Sequence, residues 1–341
     1  MLLSVLEQAP ACIGDPPGAA IGGAFALARH VDALGFTRFW VAEHHALGAV
    51  ESSAPEVVIG QLAAATAHLR VGSGGVLLPN HRPLHVAEQF RVLETLHPGR
   101  IDLGIGRSEG ATDDATVLAF ARPQDNAHAG GFARQLDELL AFGEVAPLPA
   151  DDPLASVRAT PHGVALPPVF LLGSSPDSAA TAGRLGLGYG FAVHTNPERA
   201  VEALLRYRAE FVPSAQRRRP HAILAAMVMV GEDDEHAAAL NAPWRLAMAR
   251  HRAGSPSRLL PVEQALAHDW SEAEREAHAG LHPEADVVGG PERVRERIER
   301  LAAAARADEL IAITNTSDPA ERRASFTRLA EVFELRRPRL V

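Results

Sequence analysis

Residues 69 to 107 run strand, glycine-rich turn, helix, strand and arginine without a break, and few folds accommodate that order. Leu69 to Val71 and Val76 to Leu78 are apolar and β-branched enough for a buried strand. Ser73, Gly74 and Gly75 interrupt it with residues that permit unusual backbone and the close approach of a flat ligand. Pro83 suits a helix start, Val86, Phe90, Val92, Leu93 and Leu96 recur at helical spacing, and Pro98-Gly99 stops the helix before the next strand.

The same alternation extends along the chain. Strand-like runs occupy Leu2 to Leu6, Arg38 to Ala42, Leu69 to Leu78, Ile101 to Ile105, Val169 to Leu172, Tyr189 to Val193, Ile223 to Val230 and Glu309 to Ile313. Helical patterns lie between them, as in Phe25, Leu27, Ala28, Val31 and Leu34, then Val57, Val58, Gln61, Leu62 and Ala65, and later Val201, Leu204, Leu205 and Arg208. Strands that alternate with helices imply a parallel sheet, and eight units favour a closed barrel over an open doubly wound sheet. No Gly-x-Gly-x-x-Gly follows the first strand, which removes the main support for an open dinucleotide-binding sheet. The expected fold is therefore a (β/α)8 TIM barrel, a single domain over residues 1–341. Two segments, 108–132 and 254–290, exceed what a barrel needs and follow strand C-termini, where barrel sites form, so they are expected to be insertions that act as lid loops.

Composition bounds the partners. The 33 Lys and Arg against 42 Asp and Glu give a net charge of −9, with 5% aromatic residues and no basic stripe, which argues against nucleic acid or an anionic membrane surface. A small molecule is the expected partner. The single cysteine, Cys12, has no intramolecular mate, and there is neither a charged-then-apolar leader nor an apolar run of about 18 residues. A cytoplasmic protein is expected.

Polar residues cluster at the strand C-termini. Glu43, His44 and His45 follow the second strand; adjacent side chains on an extended segment point to opposite faces, so His44 at the cavity mouth implies His45 packed behind it. A histidine there can exchange a proton near neutral pH, since burial is expected to shift it only modestly, although a lone histidine is more often a hydrogen-bonded core residue. No third or fourth ligand stands at a suitable spacing, so no metal is expected. Arg107 follows the fourth strand, and its guanidinium fork suits phosphate oxygens. Ser174 and Ser175 precede a helix started by Pro176 and Asp177, with Ser178 in its first turn, so hydroxyls, backbone N–H groups and the positive helix end can converge on one dianion. The sixth strand ends in Val193 and His194.

Four motifs in this order, Trp40-Val41-Ala42-Glu43-His44-His45, the Gly72 to Pro79 turn, Pro98 to Arg107, and Leu172-Gly173-Ser174-Ser175, make the chain resemble the bacterial luciferase-like monooxygenases, in the single-chain branch of that family. The resemblance covers most of the 341 residues. It implies a flavin-dependent, two-component monooxygenase in which reduced FMN (FMNH2) binds at the barrel mouth, O2 adds as a C4a-peroxyflavin, and a small organic substrate is oxygenated. It assigns acid/base work to His44, a bulged non-prolyl cis peptide against the flavin face to Ser73, Gly74 and Gly75, the FMN phosphate to Arg107, Ser174, Ser175 and Ser178, further cofactor contacts to Glu43 and Val193, and the substrate side to His194. A separate NAD(P)H:flavin reductase and a homodimer paired through the helices after strands 2 and 3 are implied as partners. The same resemblance leaves open a deazaflavin F420-dependent hydride-transfer oxidoreductase and a non-catalytic flavin-binding protein.

Overall fold

A computed structural model of the chain describes residues 1–108, 114–120, 131–282 and 284–336. The elements in order are β1 (Leu2–Glu7), α1 (Ala19–Leu34), β2 (Arg38–Val41), α2 (Pro55–Ala65), β3 (Arg70–Leu77), α3 (Pro83–Leu96), β4 (Ile101–Gly106), α4 (Asp114–Phe120), α5 (Gly131–Phe142), β5 (Val169–Gly173), α6 (Pro176–Arg184), β6 (Gly188–Ala192), α7 (Ala200–Ala209), β7 (Ala222–Val230), α8 (Asp234–Arg252), α9 (Val262–Leu266), α10 (Glu272–Ala279), β8 (Asp286–Gly289), α11 (Pro291–Ala305), β9 (Glu309–Ile313) and α12 (Pro319–Val332). Strands β1 to β7 pair in sequence order, and β9 joins β7 to β1 to close a parallel barrel. The eight barrel strands are the eight read from the sequence. The (β/α)8 barrel is thus the fold of this chain.

Period-2 alternation explains the two apolar layers. Phe39 and Val41 of β2 face outward into a cluster with Val71, Phe90, Leu103 and Ile105, which glues strands to helices. Trp40 and Ala42 face inward with Leu6, Phe170, Ile223 and Ile311 and fill the lumen. Burial on both faces is what makes these strands short, continuous apolar runs.

The N-terminal end of the barrel is plugged by charge. Arg38 donates through Nη1 to Asp102 at 2.6 Å and through Nε to Glu309 at 3.0 Å. His221 bonds Glu309 at 2.7 Å, Arg70 pairs with Asp102 at 2.6 Å, and the Ser4 hydroxyl also donates to Glu309. Arg38 and Arg217 cover the Phe170 ring at 5.2 Å and 4.9 Å from its centroid. Burial alone would raise the Glu309 pKa, but the His221 hydrogen bond and the Arg38 charge outweigh it and hold the carboxyl below its ordinary value. A carboxyl depressed in the folded state contributes stability above its unfolded pKa, and that stability is lost as pH falls through the folded value. Thermal denaturation is therefore expected to show stability falling below about pH 4.5, and Glu309→Gln to cost about 3 kcal/mol at pH 7 and to flatten that acid limb. A variant as stable as the wild type with an unchanged limb contradicts the plug.

The segment 254–290 is more structured than a lid loop. Leu259 is fully buried and exchanges backbone bonds with Ala11 and Ile13, pinning the start of the segment to the β1–α1 connection. β8, a ninth strand that the sequence reading did not foresee, pairs in parallel with Met227 to Val230, the half of β7 beyond its β9 partner. α10 between these anchors has a Ser271–Glu274 capping box and no buried residue. α8, which the sequence reading also passed over, places Trp244, Ala247 and Met248 in the lumen cluster, so it and Leu259 roof the barrel. Of the 108–132 insertion, Ser108, α4 and residues 131–132 belong to the described residues; the rest of that expectation lies outside them. Among the described residues no helix is long and apolar enough to cross a membrane.

Candidate functional site

Under the α8 roof lies a cavity of about 120 Å³ lined by Leu6, Gln8, Trp40, His44, Gly74, Leu172, Gly190, Ala192, His194, Ile223, Ala225 and Ile311. His194 also lines a second, neighbouring chamber of about 380 Å³. Small-molecule sites span roughly 300–1,000 Å³, a range the second chamber reaches on its own, whereas the first has room for only part of a ligand.

β3 gives this cavity one point of bare backbone, at Gly74. The Gly74–Gly75 peptide is cis, and the β3–β4 register shifts between Ser73 and Val76, where one strand bulges against the other. The Ser73 hydroxyl does not reach the cavity: it donates to Gly104 O at 2.8 Å and accepts from Gly104 N–H at 3.0 Å, standing in for ladder bonds that the bulge removes. Gly75 lies against the Gly104 to Gly106 backbone, where a Cβ would come within 2.8 Å of the Gly104 carbonyl. A Cβ on Gly74 would stand 2.5 Å from Leu6 Cδ1 and 3.1 Å from Trp40 Cβ, on the lumen side. Of the three turn residues, Gly74 alone lines the cavity.

Alternation along β2 and its extension sorts the polar run. Trp40, Ala42 and His44 share the lumen side, whereas Glu43 and His45 face away. His45 Nε2 bonds Glu43 at 2.9 Å and its ring lies 4.4 Å from that of Phe120, in line with the opposite-face reading. Glu43 is corrected: its carboxylate is not on the cavity wall but accepts from the Leu77 amide at 2.9 Å, from His81 at 2.9 Å and from His45. It ties the end of β2 to the chain just past the bulge. Burial raises its pKa, and the His81 hydrogen bond and charge more than reverse this, so Glu43 is held as a carboxylate. His81, unremarked in the sequence, is the residue that makes the anchor; its only sequence signal was a polar side chain shortly after a strand C-terminus.

His44 differs from the expectation in one respect. Burial, with smaller contributions from His194 and His45, pushes its pKa down to about 4, so the shift is not modest and the ring is neutral at pH 7. Its backbone N–H is fixed by Ser52 O at 2.7 Å, while Nδ1 is buried without a partner among the described residues. A buried ring nitrogen left unpaired costs free energy unless a ligand engages it.

At β6 the register is one residue from the expectation. Val193 packs in the outer cluster between strands and helices, and Ala192 and His194 line the cavity instead. His194 Nδ1 faces the Ala225 carbonyl at 3.4 Å, which makes Nδ1 the protonated nitrogen and leaves the Nε2 lone pair free to accept. Burial lowers its pKa as well.

Beyond the lumen, β4 and β5 are neighbours through Ile105 and Leu171, so Arg107 and the Ser174-Ser175 turn leave adjacent strand ends. Arg107 is exposed, with no hydrogen bond or ion pair among the described residues. Ser175 caps α6, its Oγ accepting from Ser178 N–H at 3.3 Å; Ser178 Oγ donates to Ser175 O at 2.8 Å and meets Tyr189 OH at 2.9 Å. Tyr189, missed in the sequence because it reads as a core strand residue, also donates to Ser175 O at 3.1 Å, and burial pushes it up to about 12, so it is a neutral donor. The Ser174 carbonyl takes the Asn196 amide at 3.2 Å, and its hydroxyl has no partner among the described residues.

A family profile described as luciferase-like monooxygenase matches residues 3–309. A luciferase-like monooxygenase of Escherichia coli K12 is 36% identical over 333 residues, covering 97% of this chain and 96% of its own. An N-acetyl-S-alkylcysteine monooxygenase of Bacillus subtilis is 36% identical over 219 residues, 63% of this chain and 64% of its own. The solved structure of apo-MsnO8 superposes with a TM-score of 0.87 at 38% identity, covering 99% of this chain and 98% of that one. Below 25% identity, where fold alone is shared, stand the oxygenating constituent of a diketocamphane monooxygenase in complex with FMN (TM-score 0.69, 17% identity, 99% of both chains) and an F420-dependent secondary alcohol dehydrogenase (TM-score 0.65, 16% identity, 98% and 99%).

Proposed function

Because the chain belongs to the luciferase-like monooxygenase family and is an oxidoreductase, we propose that it is the oxygenating component of a two-component system, binding reduced FMN with its ring at the roofed cavity and oxygenating a small organic substrate with O2. The observation that carries this reading is the pairing of the bare backbone at Gly74 with the His44 ring in the lining of one largely apolar cavity. A flat ring can approach the backbone closely at Gly74, where no Cβ stands in the way, and a ring edge rich in hydrogen-bonding groups can engage the polar side chains of the lining, Gln8, His44 and His194. The residues present therefore fit a flavin. When bound, the reduced flavin supplies two electrons to O2, so that one oxygen atom enters the substrate and the other leaves as water.

The protein's own residues bind, orient and shield. Arg107, the Ser174 hydroxyl and the N-terminal N–H groups of α6 hold the phosphate, with Ser175 and Ser178 fixing the helix end through Tyr189. Glu43 positions the bulge from behind. The neutral His44, in the cavity lining, would take up or return a proton at a bound ring. Trp244, Ala247 and Leu259 exclude water. In this two-component reading a separate NAD(P)H:flavin reductase delivers the reduced cofactor.

Titration of the flavin-free protein with FMN, riboflavin and F420 tests this reading. FMN is expected to bind tightest, and Arg107→Ala to weaken FMN by roughly 1.5–3 kcal/mol, the range for a hydrogen bond to a charged group, while leaving riboflavin unchanged. Equal affinity for FMN and riboflavin, or preference for F420, contradicts it.

The protein acts as a homodimer in this reading. Val57 on α2 and Leu96 on α3 are 68% and 64% exposed, apolar side chains on the helices that follow β2 and β3, and Val92 adds to the same side. Leu96→Asp is expected to shift the sedimentation velocity profile from dimer to monomer; a wild-type protein that sediments as a monomer at all concentrations refutes the pairing.

A further inference from the structure

The side chamber is walled by the loop after β6, by α8 and by residues 280–282 and 285–286, and it shares His194 with the lining of the central cavity. Its inner part is soft and apolar, with Met227, Trp244 and Met248, residues that adapt to aromatic or aliphatic groups. Its charged residues are unequally satisfied. Asp286 takes the Arg245 guanidinium at 3.3 Å and the Asn241 amide at 3.4 Å, and Glu198 takes His282 at 3.2 Å. Arg252, on the last turn of α8, donates to the Gly280 carbonyl at 2.7 Å and has no carboxylate partner among the described residues. In a chain of net charge −9, the chamber thus keeps one guanidinium without an internal counter-ion.

We propose that this chamber is the substrate site and that it takes an organic carboxylate, whose apolar body lies on Trp244 and Met248 while its charged end meets Arg252. The reacting end then points toward His194, the residue the two cavities share, with the Nε2 lone pair of His194 accepting from a substrate donor. The assignment rests on the proposed oxygenation at the central cavity for its orientation, but not for its chemistry of recognition.

Calorimetric titration with 4-phenylbutanoate and its uncharged carboxamide, on flavin-free and FMN-loaded protein, tests it. The acid is expected to bind about five- to twentyfold more tightly than the amide, the discount from a buried charge reflecting the exposure of Arg252. Arg252→Met should abolish that preference, Arg252→Lys should retain most of it, and Trp244→Ala should weaken both ligands about tenfold or more. Equal affinity for acid and amide, no binding of either, or a preference that survives Arg252→Met overturns the proposal. Because the flavin-free titration needs no cofactor, a protein that fails to bind FMN yet discriminates acid from amide refutes the flavin reading alone.

Discussion

Replacing His44 by alanine is expected to lower product formation by about 10² to 10⁴-fold while leaving FMN affinity nearly intact. The phosphate anchors stand at the ends of β4 and β5, whereas His44 extends β2 into the cavity, so affinity and chemistry are carried by different strands. The readout is product per reduced flavin consumed, with released H2O2 measured alongside: loss of the proton-handling group should divert reducing equivalents to peroxide. His44 is neutral down to about pH 4 in the flavin-free protein, so NMR titration of its ring should show no inflection near 6.5 and protonation only near 4. His45→Ala should behave differently. It removes one of the hydrogen bonds on Glu43 and should cost stability, about 1 kcal/mol for one bond to a charged acceptor partly replaced by His81, with little change in coupling. A His44→Ala enzyme with normal rate and coupling removes the residue from the chemistry.

The second large effect is expected at Gly74. A Cβ there can be relieved at Leu6, whose Cδ1 is the end of a flexible side chain, but not at Trp40, whose Cβ is fixed to the strand. Gly74→Val therefore fills the cavity face instead of strengthening the core. FMN affinity should fall more than about 100-fold, equivalent to about 2.7 kcal/mol, for an overpacking cost in stability of about 1–3 kcal/mol. Gly22→Ala on α1, where nothing lies within 4 Å of the added methyl, serves as the control and should change neither. Wild-type FMN affinity in Gly74→Val would mean that the flat ring lies elsewhere.

What the sequence made legible follows from where burial is two-sided. The eight barrel strands are enclosed by helices outside and by the lumen inside, so most of their residues beyond the charged N-terminal plug are apolar, and such runs stand out. β8 did not, because four residues, Asp286-Val287-Val288-Gly289, sit between polar turns and pair only with the far half of β7. α8 was hidden by Pro243, which ordinarily ends a helix interior yet here sits within a 19-residue helix capped by Asp233. Among site residues, parity placed His44 and His45 correctly on opposite faces, but Val193 shows how a single step of register at a strand end exchanges cavity and outer wall. Glu43 had the right strand end and the wrong direction; its partner His81 is 38 residues away, a contact only the fold creates. The depth of the His44 pKa shift likewise depends on enclosure by distant chain, which local sequence does not encode.

The most direct test of the whole account is an oxygen-isotope measurement. The purified protein, supplied with chemically reduced FMN and an oxidisable aryl or thioether carboxylate under ¹⁸O2, is expected to give product bearing one ¹⁸O atom, and no product without O2. Product that carries no label, or that forms without oxygen from reduced F420, would contradict it.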